Sequence, residues 1–574
     1  MIENSNLLFR IEVSGLAFGS VLPESVDSYG SRKQRGAFFT PKSLADSISR
    51  FAITSRSDRV LEPACGEAVF LLSAAERLRG LGASLEEVNL LLRGNELHQD
   101  SVDAAQRTLL EAGLNLRITA GDFFDLNPSD EVFDAIIGNP PYIRYQSFNG
   151  SERAKAREAG LAAGVRIGSM ASAWAPFVIH ATRFLRTGGR LGFVLPAEVL
   201  TVQYAAPIRE YLLDNFAKVE VTLFEKPVFP EVQEEVVVLC ASGFREGQSR
   251  CLFMSQADSV ASMYLSKPFS ADVHDGERWP IGKDSYTAQS VLSRFDGSGM
   301  IQLDQYGDVR LGAVTGSNRF FTMSETTVRE FRFKTSDLVS ICPPGSRHLR
   351  QLSFDAADLV ALRNSGKAVY LFSPADMPSV AAESYISLGL STGINMAYKC
   401  RKRNPWWRVP GLKVCDIFVT YMNGYGPNLC FNGARVAYLN SVHGLFLHKD
   451  VEEKVARSLP LVALSSATLL SAELVGRSYG GGILKLEPRE ASQMLVPSPD
   501  LIRDHIVDLQ RIQSAVDSCL REGKRDEATL MVDEVLLPEL GMSAGEIQIV
   551  HGALLELRTR RRERGKVVSI KEGE

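Results

Sequence analysis

Between about residues 40 and 245, short runs rich in Val, Ile and Leu alternate with helix-length segments that are apolar on one side. Seven of these runs have the length of strands: 58–63, 91–97, 116–122, 133–139, 189–196, 218–224 and 234–241. Strands separated by helices predict βαβ crossovers and a mostly parallel sheet with both faces covered. The last two runs lie too close together for a long intervening helix, so we expect one of them to run antiparallel.

The pattern changes after about residue 245. Short strand-like pieces, Gly, Pro and Asn turns and neighbouring aromatic and basic residues predict a mixed α+β region over 246–500. Residues 501–574 follow a largely helical pattern and are predicted to form a helical C-terminal segment. The most apolar run, 459–476, contains Glu473 and several serines, so we expect a buried helix rather than a membrane span. We therefore expect three parts: an α/β domain over 1–245, the mixed region and the helical segment.

Composition narrows the class of protein only slightly. The 574 residues carry 64 Lys and Arg against 68 Asp and Glu, a net charge of -4, so a nucleic-acid partner would need a locally basic surface. The eight cysteines are scattered without a CxxC pair or a Cys/His group at metal-ligand spacing, which argues against disulfides and a metal site. The N-terminus lacks the layout of a signal peptide. We expect a cytoplasmic protein that binds no metal.

Three successive predicted strands end in Gly, Glu and Asp residues, at the edge where an open parallel sheet binds its ligands. Gly66 follows the first strand in "EPACGEAVF" and lets the backbone approach a ligand at the start of the next helix. Glu96 ends the second strand and is suited to accept both hydroxyls of a ribose. Asp122 ends the third, where it is suited to accept from an adenine amine while the neighbouring Phe123 packs against the base.

These strand ends predict a nucleoside-type cofactor. The chain has no G-x-x-x-x-G-K-[ST] motif and no G-x-G-x-x-G after the first strand, which disfavours a nucleoside triphosphate or NAD. S-adenosylmethionine is the adenosyl cofactor without a phosphate. We therefore predict that the protein binds S-adenosylmethionine.

The fourth strand ends in Gly138-Asn139-Pro140-Pro141-Tyr142. The Asn139 side-chain oxygen and the Pro140 carbonyl are each able to accept one N–H of an adenine amine or an amide, which would localise the nitrogen lone pair toward a methyl donor. Two prolines stiffen the segment, and Tyr142 offers a ring for stacking on a planar substrate. Methyl transfer to an amino or amide nitrogen is the predicted chemistry.

At these motifs the sequence resembles the gamma-class N6-adenine DNA methyltransferases of bacterial type II restriction–modification systems. The order of the motifs matches over the first 245 residues: "RGAFFTPKSLADSI" (35–48), "EPACGEAVF" (62–70), "GNEL" (94–97), "AGDFF" (120–124), "GNPPY" (138–142), "GGRLGFVLP" (188–196) and "KPVFPEVQEEVVVL" (226–239). The resemblance implies a Rossmann-like class I methyltransferase domain, followed by a target-recognition region. It also implies methylation of adenine N6 in double-stranded DNA by base flipping, protection from a cognate restriction endonuclease that is a separate protein, and a monomer.

The resemblance further implies roles for individual residues. Phe38, Thr40, Glu62 and Gly66 would border the methionine part of the cofactor, Glu96 the ribose, and Asp122 with Phe123 the adenine. Asn139 and Pro140 would hold the target amine, Tyr142 would stack on the flipped base, and Phe229 would be a second stacking ring.

One position departs from the family pattern. Ala68 stands where a second glycine-type residue is usual. Alanine is small, but it disfavours a positive φ. If this bend needs a left-handed residue, Ala68 puts cofactor affinity in question.

A DNA surface is predicted downstream of residue 245. Residues 341–435 carry eleven Lys and Arg against five Asp and Glu, a net +6. The densest stretch is "YKCRKRNPWWRVP", from which we predict DNA contacts by Arg401, Lys402, Arg403, Trp406 and Trp407. The Gly-rich turn in 308–323 adds three candidates, Ser317, Asn318 and Arg319.

Several alternatives stay open at this point. N-P-P-Y also serves methylation of protein glutamine, although the long downstream region does not fit that class, and RNA adenine is a nearer competitor. A catalytically idle DNA-binding or phage-defence subunit is a further alternative. "GRSYGGG" (476–482) matches the G-x-S-x-G of hydrolases, but a helix-like stretch precedes it and a strand-like one follows, the reverse of a nucleophile elbow. It is interpreted instead as a helix cap or a DNA-facing turn.

Overall fold

A computed structural model describes residues 40–143, 150–168, 171–225, 228, 235–263, 265–273, 276–479 and 481–569. The chain divides into two compact units, Met1–Arg186 and Thr187–Glu574. The functional division at residues 245 and 500 stays a prediction, since compactness does not assign function.

The first unit contains a parallel sheet in the order β3-β2-β1-β4. Its four strands are β1 Val60–Glu62, β2 Leu92–Glu96, β3 Arg117–Ala120 and β4 Phe133–Gly138. Each lies inside its predicted run, and the predicted parallel arrangement of these four is confirmed. Because neighbouring strands are parallel, their carboxyl ends lie at one edge of the sheet.

Six helices complete the described part of this unit: α1 Lys42–Ala52, α2 Val69–Gly80, α3 Leu85–Leu91, α4 Gln99–Glu111, α5 Gly150–Ala162 and α6 Trp174–Thr182. All six residues of β4 are buried, as expected for a central strand covered on both faces. Every residue of α6 is also buried. Helix α3 begins at a capping box in which Ser84 and Glu87 satisfy each other's backbone N–H groups.

The second unit begins with a five-stranded array in the order β5-β7-β6-β8-β9. The strands are β5 Leu185–Pro196, β6 Phe216–Phe224, β7 Val236–Phe244, β8 Leu252–Ala257 and β9 Phe269–Ala271. Strand β7 is antiparallel to both β5 and β6, whereas β6 and β8 are parallel. The prediction that one of the last two runs is antiparallel is therefore confirmed.

The rest of the second unit mixes four small sheets with helices. Its strands are β10 Met300–Gln302, β11 Gly307–Leu311, β12 Thr322–Met323, β13 Leu338–Ser340, β14 Tyr370–Phe372, β15 Ile417–Val419, β16 Met422–Asn423, β17 Leu429–Phe431, β18 His443–Leu447, β19 Arg477–Tyr479, β20 Ile483–Lys485 and β21 Leu495–Pro497. They pair as β10-β21, β11-β18-β15-β17, β12-β14-β13 and β16-β20-β19. This arrangement agrees with the predicted α+β region.

Fourteen helices lie among the described residues of this unit: α7 Ala206–Asn215, α8 Lys283–Ser293, α9 Asn318–Phe321, α10 Glu325–Phe331, α11 Ala356–Asn364, α12 Val380–Ser391, α13 Tyr398–Arg401, α14 Glu453–Val462, α15 Ser466–Val475, α16 Pro488–Ser492, α17 Pro499–Asp504, α18 Ile506–Glu522, α19 Arg525–Leu536 and α20 Ala544–Ser569. The last four form the predicted helical C-terminal segment. The fold class is thus α/β, with a mixed α+β region and a helical end.

The apolar run 459–476 differs from its prediction. It contains the end of α14 and all of α15, and the two helices are bent by 76° at the break between them. Ser465 caps α15 by accepting the Thr468 N–H, which explains why a new helix begins there. Both helices contribute to buried clusters, as predicted. In the part of the chain that the structure describes, no single helix is long and apolar enough to cross a membrane, while this bent pair passes that test by length and composition alone.

Candidate functional site

The turn after β1 brings Gly66 and Glu96 together. Gly66 has a φ of +48°, a left-handed conformation that suits glycine, and its N–H donates to Glu96 Oε2 at 3.0 Å. The other oxygen, Oε1, accepts the His98 N–H at 3.1 Å. Each oxygen of an ionised carboxylate has a second lone-pair position, so this fixed carboxylate keeps capacity for two hydroxyl groups. The geometry suits the predicted ribose contact.

Ala68 also lies in the left-handed region, with φ 69° and ψ 22°. Its N–H donates to the Cys65 carbonyl at 2.7 Å, and helix α2 begins at the next residue. The bend therefore needs two left-handed residues, and only the first of them is glycine. The left-handed conformation of a non-glycine residue costs roughly 1–2 kcal/mol. The departure at Ala68 is thus a point of backbone strain directly beside the predicted cofactor site.

Glu62, the last residue of β1, is 2% exposed. Its Oε2 accepts the Leu71 N–H at 3.0 Å, near the start of α2. Burial raises the pKa of Glu62 well above its usual value, the Leu71 hydrogen bond lowers it in part, and the charge of Glu96 raises it further. A buried carboxyl group in this position has much to gain from a cationic ligand.

Asn95, which was not among the predicted residues, ties the three strand ends together. Its Nδ2 donates to the Pro63 carbonyl at 3.3 Å and to the Gly121 carbonyl at 3.2 Å. The residue is 2% exposed, and its Oδ1 is buried without a hydrogen-bond partner among the described residues. The sequence signal for Asn95 is a polar residue that directly precedes Glu96 at the end of β2.

The third strand end places Asp122 in contact with a lysine. Asp122 Oδ1 accepts the Phe124 N–H at 3.0 Å, and Oδ2 is 3.3 Å from Lys155 Nζ on α5. Lys155 also contacts Asp125 at 2.6 Å. An adenine amine at Asp122 would therefore share the carboxylate with Lys155, a neighbour that sequence reasoning missed because it lies 33 residues away.

Phe123, the ring predicted to lie beside the adenine, is buried in an aromatic cluster, and its contact with the cofactor stays a prediction. This ring is 3% exposed and packs within an aromatic cluster, with centroids 4.8 Å from both Phe177 and His180. So buried a ring has little surface left to pack against an adenine. Phe124, half-buried and 5.5 Å from His180, is the more accessible ring of the pair.

The end of β4 carries Asn139 beside Thr40. Asn139 Nδ2 donates to Thr40 Oγ1 at 3.3 Å, and Thr40 is 9% exposed. This bond orients the amide, because it uses a donor and turns Oδ1 away from the hydroxyl. Among the described residues Oδ1 has no partner, although it is buried. A buried acceptor without a donor is costly unless a ligand supplies one.

The residues after Asn139 are held in place on both sides. Pro140 is buried, while Pro141 and Tyr142 are half-buried. The Ile143 carbonyl accepts the Ala173 N–H at 2.9 Å. The "NPPY" segment is therefore a fixed structure at the sheet edge. Phe38 and Phe229, the other two predicted site residues, lie outside the described residues.

The predicted DNA residues of the second unit fall into two groups. Asn318, Arg319, Arg401 and Lys402 are exposed, and the last three have no ion pair or side-chain hydrogen bond among the described residues. Ser317 is half-buried, and Thr315 Oγ1 donates to Asn318 Oδ1 at 2.5 Å within the same turn. These four exposed side chains are available to a partner.

Arg403 and Trp406 also make contacts within the chain, while their DNA contacts stay a prediction. Arg403 Nη1 donates to the Thr315 carbonyl at 2.7 Å, and Nη2 donates to that of Val314. Trp406 is half-buried, and its ring centroid lies 5.7 Å from that of Phe320. Trp407 is also half-buried and packs edge-on against Trp406 at 6.0 Å. Arg403 and Trp406 pack against the turn that carries Arg319. Much of the surface of these two side chains therefore contacts other residues of the same chain.

No group of three or more His, Cys, Asp and Glu residues that is suited to a metal ion occurs within the described ranges. The candidate site is therefore a set of acceptors at the carboxyl edge of a parallel sheet. Buried carboxyl and amide oxygens and the absence of a phosphate cradle fit an adenosyl cofactor with a cationic methionine part.

Comparisons with known proteins agree with this class of site. Residues 19–268 match the family described as N-6 DNA Methylase, and residues 286–537 match the C-terminal domain of the type II methyltransferase M.Eco57I. The type II methyltransferase M.AccI of Acinetobacter calcoaceticus is 24% identical over 527 residues, which are 88% of this chain and 93% of that protein. M.XamI of Xanthomonas campestris pv. amaranthicola is 25% identical over 498 residues, with 82% and 87% covered.

Among solved structures, the type IIL restriction–modification enzyme MmeI in complex with DNA shares 11% identity, covers 90% of this chain and 75% of its own, and has a TM-score of 0.48. The family matches identify the chain as a DNA methyltransferase of the N-6 DNA methylase family, of the kind found in type II restriction–modification systems. The resemblance to the gamma class is confirmed. The cofactor is S-adenosylmethionine, and the substrate is DNA.

Proposed function

We propose that this enzyme methylates N6 of an adenine that is flipped out of double-stranded DNA, and that the modification protects the DNA from a separate cognate restriction endonuclease. The monomer is the proposed active form. The observation that carries the reaction is the buried Asn139 Oδ1, which has no hydrogen-bond donor among the described residues. An adenine N6 amine would supply that donor.

When bound, S-adenosylmethionine supplies an electrophilic methyl group on a sulfonium sulfur. Asn139 Oδ1 accepts one N–H of the target amine, and the Pro140 carbonyl accepts the other. Two acceptors concentrate the lone pair on nitrogen, which is otherwise delocalised into the ring. The bond from Asn139 Nδ2 to Thr40 keeps the amide from rotating. The amine therefore needs no general base before transfer, and its surplus proton passes to water afterwards.

In this proposal, residues at the strand ends of the first unit would hold the rest of the cofactor. Glu62 faces the cationic methionine part, Glu96 takes the ribose hydroxyls and Asp122 takes the adenine amine. Tyr142 stacks on the flipped base. Because Asn95 fixes the carbonyls on either side of Glu96, these acceptors are held in position before the ligand arrives.

The exposed cations of the second unit support a DNA substrate. Arg319, Arg401 and Lys402 contact phosphates or base edges of the duplex in this proposal. The Gly-rich turn around Ser317 and Asn318 lies in the same region and approaches the backbone.

The test measures transfer of labelled methyl groups from the cofactor to duplex DNA, RNA or a release factor. The wild type is compared with Asn139→Ala and with a control, Asn115→Ala, which changes an exposed asparagine of the same unit. We expect label in duplex DNA from the wild type and the control, and loss of at least a hundredfold for Asn139→Ala, as for removal of an oriented catalytic hydrogen bond of roughly 3 kcal/mol. Label in RNA or protein alone, or equal labelling by all three proteins, contradicts the proposal.

A further inference from the structure

A cavity in the second unit is lined by several arginines that none of the predicted functions uses. Its volume is about 50 Å³, and its lining includes Gln203, Arg278, Arg477, Arg489, Glu490 and Gln493. We call it the arginine pocket. It is far smaller than the roughly 300–1,000 Å³ of sites that enclose a drug-sized molecule. The pocket therefore suits a small group of atoms, not a whole nucleotide.

The charges in the arginine pocket do not balance. Three guanidinium groups line it against one carboxylate, that of Glu490. Glu490 forms an ion pair with Arg477 and also accepts the Glu487 N–H at 2.9 Å. Arg278 donates to the Leu474 carbonyl at 2.6 Å, which satisfies a donor but leaves its charge in place. An excess of about two positive charges remains in the pocket.

Arg489 is the least committed of the three arginines. It lies in α16 and is exposed. Within the described part of the chain its side chain has no ion pair and no hydrogen bond. A long cationic side chain that lines a cavity without a partner is poised for an external acceptor.

A fourth arginine lies behind the pocket and intensifies the positive field. Arg209 is 1% exposed and donates to backbone carbonyls, among them those of Val199 and Glu277. Burial lowers the pKa of Arg209 to about 10, and the charge of Arg278 contributes. Burial also lowers the pKa of Arg278, Glu490 raises it in part, and Arg477 lowers it further. Carbonyl oxygens solvate these cations without neutralising them, so an anion would relieve their mutual repulsion.

The "GRSYGGG" stretch forms the edge of this pocket. Gly476, its first residue, is the C-cap of α15 and donates its N–H to the Ala472 carbonyl at 2.9 Å, which agrees with the predicted helix cap. Strand β19 then pairs with the following strand β20 in an antiparallel manner, which is not the strand-to-helix turn of a hydrolase elbow. All three residues of β19 are exposed, Tyr479 to 56%. Lys485 Nζ lies 5.4 Å from the centre of the Tyr479 ring. An exposed strand with an aromatic ring and cations beside a positive cavity is suited to the backbone of a nucleic acid.

We propose that the arginine pocket binds one phosphate group of the DNA backbone, with Arg489 as its free ligand and strand β19 lying alongside the duplex. The inference rests on the proposed function in one respect, that the substrate is duplex DNA. It adds a contact outside residues 341–435, where the sequence predicts the DNA surface. Arg278, Arg477 and the two glutamines supply further N–H donors to the phosphate oxygens.

The experiment measures binding of the full-length protein to a mixed-sequence DNA duplex as a function of salt concentration. Arg489→Gln removes the charge, Arg489→Lys retains it, and Arg511→Gln is a control at an exposed arginine of α18. Loss of one phosphate contact reduces the slope of log K against log salt by about 0.9. We expect Arg489→Gln to lose that amount and to bind roughly tenfold more weakly at low salt, whereas Arg489→Lys and Arg511→Gln keep the wild-type slope.

Each other outcome is informative. Unchanged S-adenosylmethionine binding by Arg489→Gln shows that the variant is folded. A slope equal to that of the wild type then overturns the proposal, while the methyltransferase function stands. If inorganic phosphate stabilises the wild type against heat in an Arg489-dependent way, but the DNA slope is unchanged, the pocket takes a free anion and the proposal is wrong. Failure of the wild type itself to bind duplex DNA contradicts the proposed function instead.

Discussion

The buried carboxyl group of Glu62 predicts that binding of S-adenosylmethionine depends on pH. In the protein alone, burial and the charge of Glu96 raise the pKa of Glu62 well above its usual value. A cationic methionine part next to this group stabilises the carboxylate, so the pKa falls on binding and a proton is released. Affinity should therefore increase as pH rises through the interval between the lower pKa of the complex and the higher pKa of the free protein.

The magnitude follows from this linkage. Release of one proton increases the association constant by up to about tenfold per pH unit within that interval, or about 1.4 kcal/mol. Glu62→Gln keeps an oxygen for the Leu71 N–H but loses the charge. A hydrogen bond to a charged group contributes roughly 1.5–3 kcal/mol, so the variant should bind the cofactor about 10 to 150 times more weakly and without the pH slope.

The assay is titration calorimetry in two buffers that differ in ionisation enthalpy, which counts the protons released. Measurements stay below about pH 7, where the amino group of the cofactor is protonated. Burial, with the charges of Glu62 and Glu96, raises the pKa of the nearby Cys65 thiol well above 9.0, so that thiol does not contribute. Glu111→Gln, at an exposed glutamate of α4, is the control. Equal proton release by the wild type and Glu62→Gln would show that Glu62 is not the group that loses the proton.

The raised pKa of Glu62 also makes the free energy of unfolding depend on pH. Because the pKa of Glu62 is higher in the folded than in the unfolded protein, its contribution is fully present below the usual value of 4.5 and is lost as pH rises through the folded-state pKa. The free energy of unfolding of Glu62→Gln should therefore fall less over this interval than that of the wild type. Denaturant unfolding of the cofactor-free proteins at several pH values measures the difference.

Three further substitutions test other parts of the structure. Asn95→Ala removes the side-chain donor from the buried Pro63 carbonyl and the part-buried Gly121 carbonyl, and should lower the free energy of unfolding by about 2–4 kcal/mol in denaturant titrations; a loss below about 1 kcal/mol contradicts its bridging role. Arg403→Ala should lower the free energy of unfolding by roughly 2 kcal/mol, whereas Arg401→Ala should leave it unchanged and weaken DNA binding. The reverse pattern would contradict a structural role for Arg403 and a DNA-binding role for Arg401. Ala68→Val should lower the melting temperature and the free energy of unfolding by more than about 2 kcal/mol, because a β-branched residue is disfavoured at positive φ, while Ala68→Gly should stay within about 1 kcal/mol; equal effects would show that the bend is not strained.

The edge of the sheet that carries the site was predictable from the sequence because its signals are local. Each of the four strands ends within a short motif, and parallel strands bring their carboxyl ends to one edge whatever the rest of the chain does. Gly66 and Glu96 were therefore predicted independently and lie in contact. The possible need for a left-handed residue at Ala68 was likewise readable from a single departure in a tight turn.

Other features of the site depend on tertiary contacts that no local pattern encodes. Adjacent rings such as Phe123 and Phe124 point in different directions, and the sequence does not show which of them faces the core. Lys155 reaches Asp122 from a helix 33 residues away. In the sequence Arg403 cannot be told apart from its basic neighbours Arg401 and Lys402. In the structure its guanidinium donates to a backbone carbonyl 88 residues earlier in the chain. One run of basic residues thus contains both a side chain that bonds within the chain and side chains that are exposed.

The identity of the methylated base is the decisive test of adenine N6 methylation by this enzyme. DNA from cells that express the enzyme, or duplex DNA treated with the purified protein and S-adenosylmethionine, is digested to nucleosides and analysed by mass spectrometry. We expect N6-methyladenine with the wild type and none above background with Asn139→Ala, although that variant still binds the cofactor. N4-methylcytosine as the product, or N6-methyladenine at the wild-type level from Asn139→Ala, would contradict it.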